Sequence, residues 1–230
     1  LQSQLPVPQV YWAQYGTVGS GGNMHLRPTR SHQMVMGYQK NFAKNSSIKV
    51  EAYWQEMFDV PVAGSHFGAF SLLNVVEQPI NVRLNNTGTG RNYGLEVTYQ
   101  KLMTDNYYIL LSGSLYSATY KGGDGVSRRS RFDGRHTFSF TGGKEFKVGE
   151  RSTWGINTKI LWIGGFREQP INVKASADYL RTFYDEDQGY TVKLKDYFRP
   201  DLRVYWKKSK TKYSRTLALD LQNVSGTKNE

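Results

Sequence analysis

Cysteine is absent from all 230 residues, which rules out disulfides and thiolate metal sites. No run of apolar residues approaches the ~20 that a membrane-spanning helix needs, so a helical membrane protein is excluded. A β-barrel is not, because its strands alternate and never produce such runs. Leu1-Gln2-Ser3-Gln4 has neither the basic start nor the apolar core of a signal peptide. Amphipathic spacing of the helical kind is almost missing. The four histidines, His25, His32, His66 and His136, show no metal-ligand spacing. Asp185-Glu186-Asp187 lacks the fixed glycine and distal Glu of a calcium loop. Gly88-Thr-Gly90-Arg-Asn-Tyr-Gly94 lacks the Gly-Lys-Ser/Thr ending of a phosphate loop and leads into no helix. It reads as a glycine turn running from a loop into a strand. No Ser/His/Asp order suggests a nucleophile. The sequence therefore predicts no catalytic residue, no metal ligand and no cofactor, and it designates no ligand-binding residue.

What the chain does have is positive charge. A formal net charge of +11 and a pI near 9.7 call for an anionic partner: nucleic acid, a lipid headgroup layer or an anionic ligand. Aromatic residues make up 14% and include 16 tyrosines, a large share for a mean hydropathy of −0.59. Two-residue alternation runs through the whole chain. Leu95, Val97 and Tyr99 alternate with Gly94, Glu96, Thr98 and Gln100. Ile48, Val50, Ala52 and Trp54 alternate with Lys49, Glu51, Tyr53 and Gln55. Leu217, Leu219 and Leu221 alternate with Ala218, Asp220 and Gln222. Each pattern is a strand with one apolar and one polar face.

The alternation predicts nine strands, at 8–16, 32–42, 47–58, 92–103, 107–120, 135–147, 153–165, 198–208 and 213–224. Several exceed the usual ~5–6 residues and match the ~9–11 that a tilted membrane strand requires. Short connections at 43–46, 104–106, 148–152 and 209–212 alternate with long ones at 17–31, 59–91, 121–134 and 166–197. A meander through a membrane has short turns on the periplasmic side and long loops outside. The hexapeptide Glu-Gln-Pro-Ile-Asn-Val occurs at 77–82 and again at 168–173, both times in a long loop where it could extend as ribbon.

Trp154 and Trp162 share a face with Ile156, Thr158 and Ile160. At ~3.3 Å per residue and a tilt near 40°, the indoles sit roughly 20 Å apart along a membrane normal. That fits two aromatic girdles bounding an apolar band about 25 Å tall. Tyr93 and Tyr99 bracket Leu95 and Val97 in the same way, and Trp206 ends the row Leu202, Val204. The opposite faces carry Glu51, Gln55, Glu96, Gln100, Asn157, Lys159, Arg203, Lys207, Asp220 and Gln222, both signs together, as in a wet lumen. Lipid is the simplest cover for the apolar face. The basic run Ser127-Arg-Arg-Ser-Arg131, with Lys121 before it, reads as a solvated loop or a contact for anionic headgroups or a charged ligand. Nucleic acid is disfavoured, because the aromatics alternate within strands and do not interleave with the basic loop. The rival readings are a soluble β-sandwich binding or adhesion module and a barrel hydrolase of the outer membrane. Against the hydrolase, no Ser/His pair stands at a strand end.

Asn23-Met-His-Leu-Arg-Pro-Thr-Arg-Ser-His-Gln-Met-Val-Met-Gly37, Lys49-Val-Glu-Ala-Tyr-Trp-Gln55 and Asp59-Val-Pro-Val62 resemble the barrel of TonB-dependent outer-membrane receptors. So do Phe70-Ser-Leu-Leu-Asn74, Gly90-Arg-Asn-Tyr-Gly-Leu-Glu96, Tyr116 to Tyr120, Arg131-Phe-Asp133 and Gly143-Lys-Glu-Phe146. The resemblance runs from Asn23 almost to the end of the chain. It implies an all-β antiparallel meander that is part of a transmembrane barrel of about 22 strands closed by a plug. It also implies location in the cell outer membrane. The transport function implied is import of a scarce nutrient such as a siderophore, vitamin or oligosaccharide, with outer-membrane lipid, the TonB energy-coupling complex and the nutrient as partners. On this resemblance, residues 1–230 are expected to be a partial barrel of about nine strands forming an open curved sheet, with the plug and the final barrel strands absent.

Overall fold

The computed structural model describes residues 2–4, 23, 25–43, 45–64, 68–75 and 82–229. The described strands in chain order are β1 (Gln2–Gln4), β2 (Thr29–Phe42), β3 (Ser46–Ala63), β4 (Leu84–Thr104), β5 (Tyr107–Lys121), β6 (Ser127–Arg129), β7 (His136–Lys147), β8 (Ser152–Ile163), β9 (Arg167–Glu168), β10 (Val192–Lys193), β11 (Tyr197–Ser209) and β12 (Ser214–Leu221). Ten of them form one sheet in the order β1-β2-β3-β4-β5-β7-β8-β11-β12, with β6 paired to β5; β9 and β10 make a separate ribbon. Every pairing is antiparallel. The long strands are sequential neighbours apart from the small insertions, so the fold is a meander. Among the described residues no second sheet packs face to face on the first, as a β-sandwich would need.

The turn chemistry explains the tight reversals. Asp105 and Asn106 both take positive φ, 56° and 63°, the requirement of the two-residue hairpin turn whose twist matches its strands. Asn45 (54°) and Gly149 (74°) serve the β2–β3 and β7–β8 turns. Adjacent short turns are tied to one another: the Leu102 N–H donates to the Asn45 carbonyl at 3.0 Å, Glu145 to Asn106 at 2.7 Å and Ser209 to Arg151 at 2.8 Å. The long connections after β3, β5 and β8 all emerge at the other end, as the alternation of lengths predicts.

Register decides which residues share a face. Directly opposed residues point the same way, and the sheet obeys this across its width. Met36, Ala52, Leu95, Leu115 and His136 form one outward row; Val97, Gly113, Phe138, Trp162 and Phe198 form the next. Phe146, Trp154, Trp206 and Leu217 form a third near the short turns. The predicted set Leu95, Val97, Ile156, Ile160, Leu202, Val204, Leu217 and Leu219 lies on this face. Glu51, Glu96, Asn157, Lys159, Arg203 and Asp220 lie on the other.

The apolar face is not buried in any core. Leu115 is 65% exposed, Trp162 45% and Ile156 44%. Among the described residues, the buried apolar ones are Val60, Val62, Ala63, Ala69, Leu84, Ala118 and Tyr120, all near the long loops. Charged residues on the apolar face stand only toward its two ends. Near the long loops, Arg91 is clamped on Glu56 at 2.9 Å. Near the short turns, Lys40 lies over Phe42, Lys101 over Tyr107 and Lys144 over Phe146, at 5.4, 4.5 and 5.3 Å. A cation reaching across an aromatic ring toward the polar boundary is the arrangement expected where hydrocarbon meets water.

The strand expected at 8–16 lies outside the described residues; Gln2–Gln4 pairs with Thr29–Ser31. Other sequence expectations change: β2 begins at Thr29, inside the loop expected to run to residue 31. Gly88 to Gly94 is not a turn but the interior of β4, which starts at Leu84. Its glycines make room for neighbours: side chains at Gly88 and Gly90 would strike Val62 and Leu73. The connection 166–197 contains a helix, α1 (Val173–Tyr179), and the β9–β10 ribbon. The second hexapeptide copy is only partly ribbon: Glu168 pairs in β9, Ile171 bridges Tyr184, and Asn172 caps α1 by accepting from Ala175 N–H at 3.0 Å. Most of the first copy lies outside the described residues.

Replacing Ile160 with Arg puts a charge into the apolar face at a cost of ~2–4 kcal/mol near a bilayer midplane. Asn157→Arg adds it to the polar face. The fraction of heat-modifiable, membrane-assembled receptor on gels should fall sharply for the first and little for the second; equal tolerance would refute the assignment of faces.

Candidate functional site

The polar face and the long-loop end carry the groups that a solute would meet. On the polar face, tyrosine and glycine are paired across strands three times: Tyr53 with Gly94, Tyr108 with Gly143 and Tyr205 with Gly155. In each case the ring lies over the glycine where a side chain would have no room. The hydroxyl then reaches the next strand. Tyr205 OH donates to Glu145 Oε1 at 2.6 Å, and Tyr108 OH to Asn157 Oδ1 at 3.4 Å. Glycine in a strand costs stability; here it lets a ring lie flat and tie three strands with one side chain.

Charges on this face are mostly matched. Lys49 pairs with Glu51 at 2.7 Å, Arg199 with Asp201 at 2.8 Å and Arg203 with Asp220 at 3.6 Å. Asn92 donates to Gln55 Oε1 at 3.1 Å. The result is a wettable wall of hydroxyls, amides and both signs of charge.

At the long-loop end the connections are tied together. β3 and β4 run beyond the other strands, with register shifts between Met57 and Val62. Asp59 holds positive φ at the bulge, 56°, and takes both Arg27 and Arg30. Asn23 closes the base of the 64–83 connection: its Nδ2 donates to the Val82 carbonyl at 3.1 Å and its Oδ1 accepts from Leu84 N–H at 2.8 Å. Around Ala63 and Leu84 pack Leu26, Phe70, Leu72, Val75 and Val82. The 3₁₀ turn Leu72–Asn74, capped by the Ser71 hydroxyl, then folds onto the polar face. Leu73 lies over Gly90, beside Met57, and roofs a cleft of about 300 Å³ lined by Tyr53, Gln55, Asn92 and Tyr116.

Two polar side chains fasten this connection to the next two. Asn74 Oδ1 accepts from Ser130 Oγ and from Arg131 N–H, both at 2.8 Å. Fully buried Asp133 accepts from Ala118 N–H at 3.0 Å and pairs with Arg129 at 2.7 Å and Arg167 at 3.6 Å. Arg128 is bidentate on Asp124 at 2.9 and 2.6 Å and donates to the Asp187 carbonyl at 3.0 Å. The basic run 127–131 is thus split, with Arg128 and Arg129 on opposite faces of β6 and both engaged in ion pairs. Asp187 contributes its backbone to this clasp. Among the described residues no three His, Asp or Glu side chains converge as a metal site. Asn23, Asn74, Ser130 and Asp133 are lone polar residues in loops. Each stands in a stretch the sequence singles out, but its role in fastening the loops is not legible there, because the partners lie up to 61 positions away.

Two carboxylates here titrate low. The Arg128 guanidinium holds Asp124 below the usual range. Asp196 is held low by the Lys193 ammonium at 2.9 Å and then by Gly165 N–H at 3.1 Å. A depressed folded pKa contributes stability above the unfolded value and loses it as pH falls through the folded value. The rate of pepsin cleavage within 164–196, divided by that of an unstructured control peptide at the same pH, should therefore stay low at about pH 5 and rise below about pH 4; a flat ratio across that window would refute the coupling. Asp133→Asn, which removes the charge shared by Arg129 and Arg167, should loosen the loops by about 1–3 kcal/mol. Limited proteolysis should rise at 122–135 while heat-modifiability of the barrel stays unchanged.

The family model described as "TonB dependent receptor-like, beta-barrel" matches residues 5–224. Among solved structures, the chain is similar to the crystal structure of the outer membrane transporter YddB from Escherichia coli, with 14% identity and a TM-score of 0.52. That likeness covers 89% of this chain and 30% of the transporter, so the chain spans less than a third of its length. No curated protein matches in sequence.

Proposed function

Because the chain belongs to the TonB-dependent receptor β-barrel family of the outer membrane, we propose that it supplies wall and outer loops to a transporter that imports a scarce nutrient. Its apolar face meets outer-membrane lipid and its polar face lines the lumen. The observation that carries this reading is the agreement of faces across the whole sheet. Apolar rows continue from β2 to β12, while the face behind them holds the Tyr205–Glu145 bond and the matched charges. A wet lumen explains the second face, and hydrocarbon explains the first.

Cargo classes that suit such a wall are polar: a siderophore, a vitamin or an oligosaccharide. Aromatic hydroxyls and amides can hand a polar solute along without holding it. The loop end, where the 68–75 segment roofs part of the polar face, supports entry from the long-loop side. Import would draw on the TonB energy-coupling complex, as in the family. Radiolabelled ferric siderophore, cobalamin and oligosaccharide should be offered to cells whose uptake depends on the intact receptor. One class should accumulate, and accumulation should stop when the energy-coupling protein is deleted. Uptake of all three at equal rates without energy coupling would mark a passive pore and refute the reading.

A further inference from the structure

The outer, apolar face is not uniformly filled. At Gly113 nothing but the Phe138 ring edge, 4.0 Å away, approaches the place where a side chain would stand. Leu95, Val97, Leu115, Phe138 and Trp162 surround this gap, and the groove they form has a volume of about 820 Å³. Its upper rim is basic: Arg129 and Arg135 line it beside His136, whose ring lies 4.5 Å from that of Trp162. The charges at the rim do not balance. Buried Asp133 is shared between Arg129 and Arg167, and Asp196 is taken by Lys193 and approached by His136 at 3.4 Å. The Arg135 guanidinium has no hydrogen-bond or ion-pair partner among the described residues. Two carboxylates thus face four permanent cations, with His136 in addition.

We propose that this groove seats a net-anionic phospholipid of the leaflet on the long-loop side, its acyl chain over Gly113 and its phosphate on Arg135 and Arg129. The inference rests on the membrane placement argued above and adds a particular lipid class at a particular place. Geometry supports it. Thr119 pairs with Arg129, and Gly113 lies six residues back along β5, ~20 Å of strand at ~3.3 Å per residue and ~15 Å along the membrane normal at a tilt near 40°. That is within the reach of an extended acyl chain below its headgroup. An aromatic wall suits the chain, and guanidinium suits phosphate because its donors match two phosphate oxygens at once. A neutral lipid would leave the Arg135 charge unmatched, and a zwitterionic one brings its phosphate with a cancelling ammonium, so only a net-anionic headgroup offsets the surplus.

The test uses the intact receptor in phosphatidylcholine vesicles, titrated with phosphatidic acid or phosphatidylcholine brominated in the acyl chain. Fluorescence from Trp162 is isolated by difference from Trp162→Phe. Half-maximal quenching should need about fivefold less phosphatidic acid than phosphatidylcholine, the factor given by one basic residue facing an anionic headgroup. Arg135→Gln should erase the preference and leave quenching by phosphatidylcholine intact; it is the cleaner variant, since Arg129→Gln would also strip Asp133 of a partner. Gly113→Leu should weaken quenching by both lipids. Inorganic phosphate should displace neither. Equal quenching by both lipids, a preference that survives in Arg135→Gln, or displacement by inorganic phosphate would each overturn the lipid site. Quenching by neither lipid would instead overturn the membrane placement on which it rests.

Discussion

Agreement of register from strand to strand is the constraint on which everything else in this molecule depends. In hydrocarbon each backbone N–H and C=O must find a partner within the protein, because an unpaired group costs several kcal/mol. A meander of long antiparallel strands meets that demand along its length. Once pairing is fixed, the two-residue period leaves no freedom over which side chains face outward. A slip of one residue in β8 would send Lys159 outward and Ile160 inward, and neighbours on both sides would then disagree. Loop clasp, polar wall and lipid groove all inherit their positions from this one condition.

Stability is distributed accordingly. The buried apolar residues lie near the long loops, so tertiary packing of the usual kind holds only that end. In the wall, backbone ladders and cross-strand pairs do the holding, and the Tyr205, Tyr108 and Tyr53 rings add ties across glycines. At the loop end the balance reverses. The connections have little ladder of their own, so Asn23, Asn74, Asp124 and Asp133 satisfy backbone and guanidinium groups drawn from several segments. Charge is affordable there because water is near, and it is absent from the middle of the outer face because water is not.

Cations at both ends of the outer face lie over aromatic rings: Lys40, Lys101 and Lys144 near the short turns, and Arg30, over Phe58 at 4.7 Å, near the long loops. Arg91 is neutralised by Glu56 and Arg129 by Asp133, while Arg135 is left over beside a vacant strip of wall. On the inner face Lys49, Arg199 and Arg203 each have a carboxylate partner.

The strands, their order, their two faces and the ends at which loops are long could be read from the sequence, because two-residue alternation is a local signal repeated in nearly every strand. Leu95 and Glu96 fell on the expected faces for that reason, as did Ile160 and Asn157. The membrane followed from the same pattern: an apolar face that nothing among the described residues covers. Other features needed the third dimension. Gly94 and Gly155 have the same local look as any strand glycine, and only register shows that a tyrosine lies over each. Gly88 to Gly94 looked like a turn because glycine permits turns, whereas here it permits close packing by Val62 and Leu73. Helix α1 is too short, at seven residues, to leave a periodic trace. Asn74 and Asp133 acquire their roles from partners brought close by the meander, and the groove at Gly113 exists only because Arg129 and Arg135, from other segments, stand above it. Periodicity is a property of neighbours in the chain; a site is a property of neighbours in space, and the sheet alone decides which residues those are.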